Sequence, residues 1–82
     1  MTEDSGNVRL LVEQLAKALV DEPDQVSVEQ IDGPTTTFEL TVAPNDVGKV
    51  IGKQGRVARA LRTVIGATGI RSQKRYTLEI LE

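Results

Sequence analysis

An α+β domain, its elements running helix, strand, strand, helix, helix, strand, is what this sequence of 82 residues predicts. Three observations carry the reading. Apolar residues from Val8 to Leu19 recur at helical spacing. Around Phe38 and again around Tyr76 they alternate with polar residues at period two. Two glycines, Gly52 and Gly55, interrupt a second helical stretch and divide it into a short helix and a longer one.

Taken in order, Asn7 can cap a first helix whose apolar positions are Val8, Leu11, Val12, Leu15, Ala18 and Leu19. Asp21-Glu22-Pro23 ends it, because proline disfavours helix in the residue before it. Val26 and Val28 begin a strand. Ile31 falls out of its phase, so a bulge or the strand's end is expected near Gln30. Asp32-Gly33-Pro34-Thr35 has turn chemistry. In the second strand Phe38, Leu40 and Val42 share one face, with Thr37, Glu39 and Thr41 on the other. Pro44-Asn45-Asp46 stops that strand and supplies an N-cap for a short helix through Val47, Val50 and Ile51. The longer helix resumes near Arg56 and is expected to end at Gly66 or Gly69, leaving Thr68 to Lys74 as a loop. Tyr76, Leu78 and Ile80 form the last strand. Phe38 and Tyr76 sit in strand phase and are expected in the core. Residues 1–6 are expected as a flexible tail on a single domain spanning 1–82.

Composition narrows the chemistry. There is no cysteine and no histidine, which removes disulfides, thiolate or imidazole metal ligands and the commonest general acid–base group. No enzyme activity and no cofactor are expected. No apolar run approaches the ~20 residues that span a bilayer, and the polar, acidic N-terminus is unlike a secretory signal, so the expected location is the cytoplasm, with no membrane partner. The net charge is only −2, yet it is strongly polarised. Residues 1–48 carry ten acids against Arg9 and Lys17, whereas residues 49–82 carry eight cations against Glu79 and Glu82. Such segregation predicts a basic working face and an acidic back.

The chemistry concentrates in residues 46–62. Glycine permits positive φ and close backbone approach, and the loop Gly52-Lys53-Gln54-Gly55 opens directly into a helix N-terminus, where free N–H groups favour a phosphate. Lys53 adds a positive charge at the tip and Gln54 a neutral donor and acceptor. On the following helix Ala60, Val64, Val57, Leu61, Ile65 and Ala58 fill one arc, with Ile65 and Ala58 at its edge. Arg56, Arg59 and Arg62 form a stripe on the other side. A solvated arginine face is the ordinary alternative, but a stripe placed straight after this loop suits a phosphate backbone. A P-loop is excluded: the glycine spacing is one residue short, and Gln54 stands where Ser or Thr should hold magnesium.

Val50-Ile51-Gly52-Lys53-Gln54-Gly55 with its following helix resembles the signature of KH domains, and the element order resembles the prokaryotic type II arrangement. Over essentially all its length the chain resembles the small bacterial KH proteins of the KhpA (YlqC) family, so a free-standing domain is expected. The resemblance implies three helices on one face of a three-stranded mixed sheet, and a cleft for about four nucleotides of single-stranded RNA. Residue by residue it implies a clamp of Gly52, Lys53, Gln54 and Gly55, flanked by Lys49, Arg56, Arg59 and Arg62. Val47, Val50, Ile51, Val57 and Leu61 are divided between cleft floor and core, and Arg71, Lys74 and Arg75 are candidate phosphate contacts on the cleft's far side. It further implies a homodimer, or a heterodimer with a larger KH-containing RNA-binding protein of the KhpB kind, in RNA-linked regulation of growth and division. Lacking aromatic platforms, one domain should bind weakly, with strong salt dependence and broad sequence tolerance, and single-stranded DNA is not distinguished from RNA. The rival reading is an adaptor in which the fold mainly dimerises, with Ile65 and Ala58 meeting the partner.

Overall fold

A computed structural model describes residues 4–82, as three helices on one face of a three-stranded mixed sheet. The elements are α1 (Asp4–Leu19), β1 (Ser27–Ile31), β2 (Thr36–Thr41), α2 (Val47–Ile51), α3 (Arg56–Arg71) and β3 (Tyr76–Ile80). The sheet order is β1-β2-β3, with β1 antiparallel and β2 parallel to its neighbour. A tight turn suffices for the antiparallel pair, while the parallel pair needs a crossover, which α2 and α3 provide.

Helix α1 starts three residues before the expected Asn7 cap; a cap preference is worth only about 1 kcal/mol and does not forbid helix upstream of it. Of the expected tail, residues 1–3 lie outside the described residues, and Asp4 to Gly6 already have helical backbone. Strand β1 has no bulge at Gln30. Gln30 pairs with Phe38 and Ile31 with Thr37, so Ile31 simply takes the open face of the sheet and stays 43% exposed. Helix α3 runs past both glycines to Arg71, which shortens the following loop. Gly69 serves packing instead of termination: a Cβ there would lie 2.6 Å from the Lys74 carbonyl oxygen and 3.1 Å from the Tyr76 ring. Gln73, at φ 57°, takes the left-handed position expected of a glycine.

The core lies between the sheet and the helices. Phe38, Leu40, Ile65 and Val50 are fully buried, and Phe38 meets Tyr76 edge to face with ring centroids 5.5 Å apart. Both aromatics are therefore core residues. From α1 the core receives Val8, Val12 and Ala16, and from α3 it receives Ala58 and Ile65.

On the open face of the sheet the register places Glu29 opposite Glu39 and Glu39 opposite Glu79. Like charges directly opposite across strands destabilise a sheet. Glu39→Gln is accordingly expected to raise stability by a few tenths to about 1 kcal/mol, read as a higher thermal midpoint whose gain shrinks in high salt.

Candidate nucleic-acid interface

Helix α2 stops because Gly52 turns the chain. Its N–H donates to the Gly48 carbonyl at 2.8 Å, while its own φ and ψ are 78° and 171°, a combination open essentially to glycine alone. A single tight turn follows, closed by the Gly55 N–H donating to the Gly52 carbonyl at 3.1 Å. Gln54 (φ 59°) and Gly55 (φ 73°) are both left-handed, and Arg56 then opens α3. Lys53 and Gln54 are exposed at the tip. A Cβ on Gly52 would sit 2.4 Å from Val57 Cγ2, so the loop's first residue is pressed against the first turn of α3. The turn and the helix N-terminus thus form one rigid unit, with the helix's positive dipole end beside a lysine.

The expected cations separate into four groups. Lys53, Arg56 and Arg59 stand exposed at or just beyond the loop, and none forms an ion pair with a described carboxylate. Arg56 donates from Nη2 to Gln54 Oε1 at 3.4 Å. Arg62, farther along the stripe, donates from Nε to the Leu78 carbonyl at 3.1 Å and so ties α3 to β3. Arg71 ends α3, about 22 Å from Arg56 by helical rise, and Lys74 and Arg75 follow it in the loop to β3. Lys74 and Arg75 line a separate open cavity of about 560 Å³ with Gln30, Thr36 and Gln73. Lys49 differs from all of these: its Nζ is 3.2 Å from Asp21 Oδ2 and 3.4 Å from Asp46 Oδ1.

The apolar candidates are also sorted. Val50, expected either on the cleft floor or in the core, is fully buried in the core cluster with Phe38 and Leu40 and presents no surface to a ligand. Ile51 is partly buried against the same cluster. Val47 lines a cavity of about 710 Å³ with Val42, Pro44 and Leu81. Val57 and Leu61 instead line an apolar groove of about 500 Å³ between α1 and α3, together with Leu11, Leu15, Leu19 and Val64. Ile65 and Ala58, expected to meet a partner, are 0% and 3% exposed. The face they were to form is taken by Val64, which is 46% exposed.

Asp46 is the residue whose role sequence reasoning missed. It stands at the N-cap of α2 but makes no side-chain cap bond. Its carboxylate turns the other way and accepts the N–H groups of Asp21 at 3.2 Å and Glu22 at 3.0 Å. Burial pushes its pKa up, but those two N–H donors and the Lys49 ammonium outweigh burial and hold the carboxyl below its ordinary value. Hydrogen bonding to Asp21 is in turn the main cause that raises the Lys49 pKa. A lowered carboxyl pKa contributes stability that is present above the ordinary value and lost as pH falls through the lowered one. Asp46→Asn is therefore expected to be less stable than the wild type near neutrality and to converge with it in acid. Thermal midpoints between about pH 7 and pH 2 would check this.

Among the described residues no group of His, Cys, Asp and Glu could hold a metal ion, and no helix is long and apolar enough to cross a membrane. A family model for the KH domain of KhpA/KhpB matches residues 9–80. The RNA-binding protein KhpA of Clostridium acetobutylicum is 51% identical over 75 residues, covering 90% of this chain and all of that one. The protein of the same name from Aquifex aeolicus is 56% identical over 73 residues, covering 88% and 92% of the two chains. That from Borreliella burgdorferi is 44% identical over 81 residues, covering 98% and 99%. In fold, the chain is similar to part of an Era variant from Aquifex aeolicus, solved as a crystal structure with GDP and aluminium fluoride. The TM-score is 0.63 at 19% identity, over 89% of this chain and 29% of that one.

Proposed function

This chain belongs to the KhpA/KhpB family of KH domains, a non-enzymatic family, and from that premise we propose that it binds single-stranded RNA, clamping the backbone at Gly52-Lys53-Gln54-Gly55. One observation carries the proposal: an exposed Lys53-Gln54 tip, held by Gly52 against α3, stands at that helix's N-terminus and is followed by Arg56 and Arg59, which form no ion pair with a described carboxylate. Recognition by backbone clamp fits the absence of any exposed aromatic, since Phe38 and Tyr76 are both buried. Lys53, Arg56 and Arg59 are the first phosphate partners. Arg71, Lys74 and Arg75 reach only a longer RNA that runs the length of α3. Three neutralised phosphates give a salt slope of about −2 for a single strand. In this reading the protein acts in the cytoplasm as a post-transcriptional regulator or RNA chaperone. Changing Lys53 and Gln54 together to Asp is expected to weaken binding of a labelled oligouridylate about tenfold or more with the circular dichroism unchanged. Unchanged affinity in the folded variant would refute the clamp.

A second reading, self-association, is favoured by the α1–α3 groove. Apart from Arg56 at its edge its lining is apolar, and Leu19 and Val64 are 39% and 46% exposed. A dimer, or a heterodimer with a larger KhpB-like protein, would cover it and set two clamps in tandem, raising avidity for one RNA. Sedimentation of Val64→Asp tests this; a variant that still dimerises like the wild type would exclude the groove.

A further inference from the structure

Asp46 is the one charged residue among the described residues that is buried, at 1% exposure, and its bonds run away from its own helix. They join the chain just beyond α1, at Asp21 and Glu22, to the start of α2. Lys49, one turn into α2, closes the arrangement by bridging Asp21 and Asp46. Helix α2 has five residues, of which only Val50 is fully buried, and a helix so short does not hold itself. The loop at Gly52 begins where α2 stops. Its orientation therefore depends on two attachments: the contact of Gly52 with Val57 on the α3 side, and the base of α2 on the other.

We infer that Asp46 is a positioning residue for the Gly52-Lys53-Gln54-Gly55 clamp and that Lys49 is its ion-pair partner, not a phosphate contact. The inference rests on the clamp reading. A buried carboxylate with two backbone N–H donors and an ammonium around it holds α2 in one orientation. Without it two N–H groups lose their acceptor, α2 is held only by the packing of Val50 and the partly buried Val47 and Ile51, and the loop must be ordered by the RNA itself. Ordering a loop at the moment of binding weakens affinity without removing a single phosphate contact. The positive charge of Lys49 is already met by Asp21 and Asp46, which leaves Lys53, Arg56 and Arg59 to set the salt dependence.

The test uses the full chain and a labelled oligouridylate, titrated over a salt series, with amide hydrogen exchange on the free protein. Asp46→Ala and Asp46→Asn are expected to weaken binding about fivefold or more with the salt slope unchanged. Exchange should quicken at residues 52–55 while the amides of Phe38 and Leu40 in β2 keep their protection. Lys49→Gln is expected to leave the slope unchanged; a slope smaller by about 0.7 would show a phosphate contact and overturn its assignment. Wild-type affinity in both Asp46 variants, or loss of β2 protection in step with the loop, would overturn the positioning role. Should Asp46→Ala not fold, Asp46→Asn and Lys49→Gln carry the same measurements. A wild-type result from the Lys53 and Gln54 double variant refutes the clamp itself, so the two failures are distinguishable.

Discussion

Gly52→Ala is expected to be among the most damaging single changes in the loop, lowering stability by roughly 3 kcal/mol, while Gly55→Ala costs about 1 kcal/mol. The difference follows from what a Cβ would meet. At Gly52 the backbone sits at φ 78° and ψ 171°, and the new methyl would fall 2.4 Å from Val57 Cγ2 and 2.8 Å from the Val57 backbone nitrogen. The backbone atom cannot move without shifting the first turn of α3, so strain and overlap add. At Gly55, φ is 73° but nothing lies within 4 Å of the added carbon, and only the conformational penalty remains. Urea unfolding of the two variants would show the contrast; equal losses would mean that the Val57 contact yields freely. A domain of this size holds a margin of only several kcal/mol, so Gly52→Ala is expected to sit near the limit of folding.

The second large effect is expected at Ile65, where truncation to Ala should cost about 2–5 kcal/mol. Ile65 is fully buried in the same cluster as Phe38, Leu40 and Val50, so truncation removes buried methyl groups and leaves a cavity in the core. Its sequence neighbour Val64 is 46% exposed in the α1–α3 groove, so Val64→Ala should change the stability of the isolated chain by less than about 1 kcal/mol. Thermal melts at low protein concentration separate the two. A large loss at Val64 under those conditions would mean that the groove belongs to the folding core of a single chain.

Those adjacent residues show where sequence reading stopped. The periodicity of α3 marks a broad apolar arc, and in isolation the centre of such an arc is the natural core side. Two surfaces compete for it, however: the sheet takes Ala58 and Ile65 at one edge, while α1 faces Val57, Leu61 and Val64 and leaves a groove between. Helical spacing carries no information about which neighbour covers which part of an arc. The same holds for α1, where Val8, Val12 and Ala16 go to the sheet and Leu11, Leu15 and Leu19 to the groove.

The kind and order of the six elements, the inward face of β2 and β3, the position of the glycine-bracketed loop and the polarity of charge were all legible in the sequence. Each of these depends on residues a few positions apart: period two, helical spacing, or a glycine where φ must be positive. The remaining features depend on folding, because they are contacts between residues distant in the chain. Asp46 reads locally as a helix cap, yet its carboxylate is taken by N–H groups 25 and 24 residues earlier. Gly69 reads as a helix stop, yet it is a seat for Tyr76 and the Lys74 carbonyl. Lys49 reads as one more cation beside the loop, yet two aspartates hold it. A backbone donor or a carboxylate brought in from elsewhere in the chain outweighs a local preference, since satisfying a buried polar group is worth more than a cap on an exposed helix end.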